Sequence, residues 1–437
     1  MRKINICLIC LFAARIAAAQ LPSLTLDDAI RLALMNNFGI RIATNDATIA
    51  RNNVTKGNAG FLPNVNLIAT ETPQVGFTDQ KLSSGTEISK PSFTNTINAG
   101  VQMQWVLYDG NRMFLELDRL KELQSIGELT IKIRSEQTIS DVMRAFYNII
   151  RQQDLSRGIQ EQLDFYEERL RIAQTRLDVG KGNLLDVLQA QSDLSVQKTQ
   201  LLRQQQQINV AKLQLKQLIT EGVDFVFDVR DSFDLTRQLD FNQLKTNALS
   251  QNLNIELLKR QNGVATLTMK EIEAARRPRV TFNPSFLLNR SDNTAGLFVI
   301  NQNAGLNAGV SLSYPLYDGN NLRRQVENAK IDIESSKLRQ QQFQFDLVAY
   351  IDIAYQNYLN ALEILRGEED NMNLARQSIN LGMERFRLSR STILELKQIQ
   401  QAYDSAVVRA VSAKYEAKSA EIELLRLSGS LIQRAKN

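Results

Sequence analysis

Histidine is absent from this chain of 437 residues, and its two cysteines, Cys7 and Cys10, both lie within the first ten positions. The remainder can therefore form no disulfide, no thiolate nucleophile and no imidazole base or metal ligand. The sequence also lacks a Walker phosphate loop and the G-x-G-x-x-G pattern of dinucleotide-binding folds. Carboxylates and lysines remain, but no two acids are grouped convincingly. We therefore predict no enzyme activity, no catalytic residue, no cofactor and no metal site.

Long apolar runs and a strong excess of one charge are missing as well. After the first twenty residues, no apolar stretch approaches the roughly 18 residues that a membrane-spanning helix requires. The net charge is +5, and it falls to +2 once Arg2, Lys3 and Arg15 are set aside. An excess this small gives no basis for nucleic-acid binding.

Residues 1–19 have the pattern of a secretory signal peptide. Arg2 and Lys3 are basic, residues 4–12 are mostly apolar, and three alanines precede Gln20. Neither cysteine follows the small residue that a lipoprotein site needs, so no lipid anchor is expected. A buried N-terminal helix is the alternative interpretation of the same segment.

A long internal repeat is the most informative feature that is present. The stretches 98–101 and 107–111 recur 209 residues later along the chain. Further matches follow at the same offset, and upstream matches follow at an offset of 215. A repeat of this length decides the architecture, so we predict two structural repeats, 20–230 and 231–437.

Each repeat contains a pair of long helical stretches. The predicted helix hairpins span about 110–220 and about 319–430, and all seven prolines lie outside their helical stretches. Apolar residues in them form a narrow stripe with steps of three and four, as in Leu155, Ile159 and Leu163. A helix of about 65 residues is about 100 Å long and cannot bury a core alone. We expect the shorter helices to stack end to end beside the longer one, within a helical assembly.

Segments with the alternation of β-strands precede the long helices. The predicted hairpins span about 62–106 and about 279–315, and they include expected outward loops at about 73–91 and 291–303. One face is apolar and the other is uncharged and polar, which in a secreted chain is typical of a transmembrane β-barrel. The aromatic residues expected to form an interfacial girdle are Trp105, Tyr108, Tyr314 and Tyr317.

A soluble pair of hairpins with one buried face is the alternative. Against it, each strand has about ten residues, the length that crosses the hydrocarbon layer at a tilt. Four strands cannot close a barrel, because the smallest membrane barrels have about eight. An open edge in lipid would leave backbone groups unpaired at several kcal/mol each. The sequence therefore favours an oligomer that shares one barrel.

Together these features resemble the TolC-like outer membrane efflux proteins, also called outer membrane factors. The resemblance covers the whole chain beyond the signal peptide and rests on the order of its motifs, which occurs twice. The residues at the junctions between barrel and helices are Pro63, Asp109, Gly110, Pro278, Asp318 and Gly319. The sequence departs from the family at Val106, where proline is frequent. Glycine frees the backbone to turn at these junctions, and aspartate can cap the following helix.

The resemblance implies a mostly α-helical chain with the TolC-like α/β-barrel fold. It implies a homotrimer with a tunnel of very long helices and with four strands per chain in a shared 12-stranded barrel. The location would be the outer membrane, in contact with its lipid and extending into the periplasm. The role would be that of a passive exit duct for a tripartite efflux pump or a type I secretion system.

Partners are implied in the same way. They would be a periplasmic adaptor (membrane fusion) protein and an inner-membrane pump of the RND, ABC or MFS type. Two rival hypotheses remain open at this point. One is a periplasmic structural coiled coil without a pore, and the other is a secreted enzyme that uses carboxylates.

The turns between the long helices would lie at the periplasmic end and meet the adaptor. They are rich in basic residues, which suits a docking surface, although an ordinary solvated turn is the alternative. The residues proposed for docking are Arg176, Gly180, Lys181, Arg385, Arg387 and Arg390.

Just inside these turns, Asp186 and Glu395 occupy matching positions. By resemblance they would line the entrance, where three-fold symmetry would make each a ring that attracts cations. The alternative is a helix cap, because Asn183 and Thr392 precede them with capping-box spacing. Phe386 stands where some family members have a gate tyrosine, so an ion pair from Arg385, Arg387 or Arg390 to Asp186 would have to take the place of the tyrosine hydroxyl.

Overall fold

The computed structural model describes residues 23–220, 225–229, 233, 235, 239–295 and 298–431. The predicted signal peptide lies outside the described residues. The chain forms two compact units, and each takes segments from both predicted repeats, so the repeat organisation stays a prediction. Unit 1 comprises Met1–Phe38, Ser135–Gln251 and Tyr350–Asn437, and unit 2 comprises Gly39–Arg134 and Asn252–Ala349.

Helices dominate the described chain. They are α1 (Leu26–Asn36), α2 (Phe38–Asn53), α3 (Arg112–Asp178), α4 (Leu184–Ile219), α5 (Phe241–Gln251), α6 (Leu253–Ala274), α7 (Asn321–Arg387) and α8 (Ile393–Leu427). The helices α3 and α7 have 67 residues each, which matches the long stretches predicted from the absence of proline. No helix among the described residues is both long enough and apolar enough to cross a membrane.

Eight strands are assigned in the described chain. They are β1 (Ser23–Leu24), β2 (Asn64–Lys81), β3 (Glu87–Tyr108), β4 (Asp228–Val229), β5 (Arg279–Phe282), β6 (Ser285–Asn293), β7 (Ile300–Asn307) and β8 (Val310–Ser313). In unit 1, β1 and β4 form a short parallel pair. The other six form one antiparallel sheet in unit 2.

The sheet of unit 2 is four strands wide. On one side β3 pairs along its length with β2, and on the other side it pairs with β6 and β5. Those two strands in turn pair with β7 and β8. The line formed by β5 and β6 is interrupted between these strands at Asn283-Pro284, because proline has no N–H to donate to a neighbouring strand. The break is bridged by hydrogen bonds from the Met103 amide to the Pro284 carbonyl (2.9 Å) and from the Asn283 amide to the Gly309 carbonyl (2.8 Å).

The two predicted loops are shorter than expected. The strands β2 and β3 are separated only by residues 82–86, so Pro73 and Pro91 both lie inside strands. Pro73 is tolerated because β2 is an edge strand. Pro91 is tolerated because β3 meets β6 only from Thr94 onward, which leaves that stretch with one neighbour. In the second hairpin, β6 extends to Asn293 and β7 begins at Ile300.

The core of unit 1 lies where α1, α4 and the middle of α3 meet the end of α8. Its most deeply buried members include Ala29, Phe146, Leu215 and Ile422. A second cluster lies toward the far end of α3 and α7, where Ile172 packs with Met383, Phe386 and Leu396. Burial in unit 2 is sparser, and the apolar side chains of its sheet face outward, with Leu67 81% and Leu306 75% exposed.

Candidate functional site

The two turns between the long helices in unit 1 have the same backbone geometry. In the first, the amides of Gly180 and Lys181 donate to the carbonyls of Leu177 (2.9 Å) and Arg176 (2.8 Å). In the second, the amides of Ser389 and Arg390 donate to Phe386 (3.0 Å) and Arg385 (2.8 Å). This is the Schellman arrangement, which requires a left-handed residue after the helix. Gly180 supplies it at φ 69° and Ser389 at φ 58°.

The two candidate gate acids have different surroundings. The Thr392 hydroxyl accepts from the Glu395 amide (3.2 Å), and the Glu395 carboxylate accepts from the Thr392 amide (3.0 Å), which completes a capping box. In the other turn, the Asn183 side chain accepts from the amide of Leu185 instead (3.0 Å). The half-buried Asp186 carboxylate has no hydrogen-bond or ion-pair partner among the described residues. The capping alternative thus accounts for Glu395 and not for Asp186.

Phe386 lies inside the helical hairpin rather than on its surface. Its side chain is 1% exposed and packs with Ile172, Met383 and Leu396. The Arg176 guanidinium carbon lies 4.9 Å from the centre of its ring, within cation–π range. A phenyl ring in this position stabilises the tip and keeps Arg176 half-buried.

The basic character of the tips is partly neutralised. Arg387 donates to Glu384 (3.0 Å) and to Glu168 (2.8 Å), so it does not pair with Asp186 within one chain. The hydrogen bond from Arg171, together with that from Arg387, lowers the pKa of Glu168 to about 2. The cations that remain exposed at the tips without an ion pair among the described residues are Lys181, Arg385 and Arg390.

A buried polar network further along the hairpins was not foreseen from the sequence. Arg169 is 0% exposed, and its guanidinium donates to Gln400 (2.6 Å) on α8 and to Asp193 (2.5 Å) on α4. Lys397 donates to the other oxygen of Asp193 (3.0 Å). The three helices α3, α4 and α8 are therefore joined by charged hydrogen bonds around one fully buried guanidinium, while Asp193 (18% exposed) and Lys397 (27% exposed) lie at the edge of the network.

Tyr166 and Asp404 extend this network. The Tyr166 hydroxyl donates to the Asp404 carboxylate (2.8 Å), and the Arg169 guanidinium carbon lies 5.0 Å from the centre of the Tyr166 ring. Burial raises the pKa of Asp404 to about 6, against the opposing effects of the Tyr166 hydrogen bond and the Arg169 charge. In the sequence, Tyr166 continues the apolar stripe of Leu155, Ile159 and Leu163 with a further step of three, and nothing in the pattern distinguishes Arg169 or Asp404 from surface residues.

Asp404 makes the stability of this region depend on pH in a definite direction. The unfolded carboxyl loses its proton near pH 3.8, whereas the folded one keeps it to about pH 6. Between these values the folded state binds more protons, so stability falls as the pH rises through this window. The side chain of the Asp404→Asn variant stays neutral at every pH. We therefore expect the melting temperature of this variant, relative to that of the wild type, to increase as the pH rises from 4 to about 7 and to stay at a constant difference above that. Melting curves at a series of pH values measure this, and an advantage that does not vary with pH would contradict it.

The junctions between strands and helices in unit 2 place the predicted motif residues together. The Met113 amide donates to the Asp109 carboxylate (3.0 Å), and the Leu322 amide donates to that of Asp318 (2.7 Å). Gly110 and Gly319 follow with φ of 76° and 71°. Pro63 and Pro278 directly precede β2 and β5.

Gly110 is also required by a close approach. A Cβ there would lie 2.5 Å from the carbonyl oxygen of Ala274, at the end of α6.

The four predicted girdle residues all lie on the exposed surface of this unit. Trp105 is fixed by a hydrogen bond from its indole N–H to the Phe61 carbonyl (2.9 Å).

Comparison with known proteins gives a consistent result. The sequence model of the outer membrane efflux protein family matches residues 29–221 and 244–430. The chain is 23% identical over 412 residues to the pyoverdine export outer membrane protein OpmQ of Pseudomonas aeruginosa, covering 92% of this chain and 85% of OpmQ. It is 20% identical over 411 residues to the outer membrane efflux protein BepC of Brucella suis, covering 93% and 86%.

Solved structures show the same fold. The outer-membrane channel OprN aligns with a TM-score of 0.74 at 18% identity, covering 93% of this chain and 90% of OprN. The CmeC outer membrane channel of Campylobacter jejuni aligns with a TM-score of 0.72 at 15% identity, covering 93% and 85%. These relatives and neighbours are channel proteins rather than enzymes. The chain therefore belongs to the outer membrane efflux protein family, and it is an efflux channel of the outer membrane with a TolC-like fold.

Proposed function

We propose that three copies of this chain join their sheets into one closed 12-stranded barrel and their long helices into one periplasmic tunnel. The observation that supports this is the sheet of unit 2. It is four strands wide, and among the described residues neither β2 nor the line of β7 and β8 has a strand on its outer side. In lipid, such edges are tolerated only if other chains pair with them.

The trimer would be a passive exit duct for a tripartite pump or a type I secretion system. An inner-membrane pump of the RND, ABC or MFS type would supply the energy, and a periplasmic adaptor would dock on the tips through Arg176, Gly180, Lys181, Arg385, Arg387 and Arg390. Lys181, Arg385 and Arg390 suit this role best, because they are exposed and form no ion pair among the described residues. A periplasmic coiled coil without a pore does not account for the family match.

Asp186 is the stronger candidate for the entrance. Its carboxylate has no partner among the described residues, whereas Glu395 caps α8 and Phe386 packs inside the hairpin. In a trimer, each Asp186 and each Glu395 would belong to a ring of three negative charges. Such rings raise the local concentration of cations at a constriction.

Charge-neutral variants test this role without removing the cap. Asp186→Asn with Glu395→Gln keeps side-chain size, and glutamine still fits a capping box. We expect the permeability ratio of K⁺ over Cl⁻ to fall about twofold or more, since a ring of fixed charge is lost. The measurement is the zero-current potential of single channels in a planar bilayer under a KCl gradient.

A matched control is Asp164→Asn, which removes an exposed carboxylate of α3 that lies away from the two tip turns. It should leave the ratio unchanged. If the double variant also leaves both ratio and conductance unchanged, Asp186 and Glu395 have no part in the entrance. If the wild-type protein forms no channels at all, the proposed duct itself is wrong.

A further inference from the structure

We propose that the junction between sheet and helices in unit 2 binds the headgroups of anionic phospholipids through a belt of unpaired basic side chains. This rests on the proposed insertion of the sheet into the membrane. The junction belt consists of Lys56, Arg112, Lys270, Arg276, Arg277, Arg279, Arg323 and Arg324, all of them exposed. Lys56 follows α2, and Arg112 is the first residue of α3. Lys270 lies in the last part of α6, and Arg276 and Arg277 follow that helix. Arg279 begins β5, and Arg323 and Arg324 lie in the first turn of α7.

A sharp change in charge marks the position of this belt. The strand segments next to the junction, 64–70, 97–108, 280–289 and 305–317, contain no lysine, arginine, aspartate or glutamate. The aromatic girdle lies at the same ends of the strands. An uncharged band bordered by aromatic and then basic residues is the order expected on passing from hydrocarbon to headgroups. The belt would therefore lie at headgroup depth on the side of the helices.

The belt has few carboxylates to neutralise it. Among the described residues, none of its eight members forms an ion pair. The neighbouring acids are used elsewhere: Asp109 and Asp318 accept from helix amides, and Glu116 and Glu327 pair with Arg119 and Lys330. An unpaired cluster of this kind is stabilised by an external anion.

A groove of about 510 Å³ within the belt shows how one headgroup would be held. The start of α3 contributes Phe114 and Leu115, and the end of α6 contributes Lys270, Glu273 and Arg277. Arg277 donates one guanidinium nitrogen to the Gly110 carbonyl (2.8 Å), which positions the rest of the fork. Two cations beside exposed apolar side chains suit a phosphodiester and the first carbons of its acyl chains. Glu273 is the one acid among the lining residues. Its negative charge offsets one of the two cations, so the groove suits a single anionic group.

The test is lipid binding to the full-length, detergent-solubilised protein, measured by native mass spectrometry. Phosphatidylglycerol and phosphatidylcholine are the probes, because they share the phosphodiester and differ in net charge. The wild type should bind phosphatidylglycerol preferentially. Arg276→Gln with Arg279→Gln should weaken that binding about tenfold or more, since each basic residue near a charged lipid surface is worth roughly a factor of five.

The matched control removes two exposed cations of α7 outside the belt, Lys337→Gln with Arg339→Gln, and should bind as the wild type does. Equal binding of the two lipids by the wild type, or equal losses in both double variants, would overturn the proposal. If the belt variant does not fold, raising KCl from 50 to 500 mM must abolish the wild-type preference, and a preference that persists would also overturn it. Channel activity in pure phosphatidylcholine tests the duct separately, so the two failures are distinguishable.

Discussion

Arg169→Ala is expected to destabilise the helical hairpins of unit 1 by about 3–5 kcal/mol, the usual cost of removing one partner of a buried ion pair. The fully buried guanidinium donates to Asp193 and Gln400 and lies against the Tyr166 ring. Its loss leaves Lys397 as the one charged partner of Asp193 among the described residues, and it leaves a cavity between three helices. The expected result is faster opening of α4 and α8, measured by hydrogen exchange followed by mass spectrometry.

Arg171→Ala is the matched control for this prediction. Its guanidinium lies on the same helix, is 67% exposed and, within the described part of the chain, pairs only with Glu168 across one turn. An exposed pair of this kind contributes little to stability, because water and salt screen it. Similar protection losses in the two variants would contradict the structural role assigned to Arg169.

Gly100→Ala is expected to prevent correct assembly of the sheet. A Cβ at this position would lie 2.2 Å from the carbonyl oxygen of Phe286 and 2.9 Å from the Cα of Leu287, both backbone atoms of β6. The central strands β3 and β6 would have to separate, which breaks ladder hydrogen bonds at several kcal/mol each in lipid. We expect a loss of folded protein in the outer membrane fraction, measured by detergent extraction and quantitative immunoblotting.

Gly305→Ala is the corresponding control. Gly305 lies in β7 opposite Leu287, and a Cβ there would meet no atom of the described residues within 4 Å. Its membrane fraction should match that of the wild type. A normal yield of the Gly100 variant would show that β3 and β6 do not pair as described.

Much of the fold could be predicted because it depends on local patterns. The four long helices α3, α4, α7 and α8 lie in the two stretches for which helix hairpins were predicted, since proline, glycine and cap residues mark where such stretches end. The strands were predicted from the alternation of apolar and polar residues, which is interrupted at Ile68 and Leu287. The boundaries predicted for the first loop were wrong, because Pro73 and Pro91 lie inside strands at positions with no neighbouring strand on one side.

The site was predictable only in part. The tip turns and the cap at Glu395 follow from short motifs that the sequence displays directly. The network of Arg169, Asp193 and Asp404 could not be foreseen, because it depends on which helix faces meet. Residues from three helices, far apart in sequence, form it. A charged residue on a helix is ordinarily solvated, so periodicity alone assigned these to the surface.

The central claim is that three chains together close one barrel, because within the described part of a single chain both edges of the sheet are unpaired. The most direct test is the mass of the folded protein extracted from membranes in mild detergent, determined by native mass spectrometry. We predict a complex of three chains, with no folded species of one chain. A stable, folded monomer with a protected sheet would contradict the account.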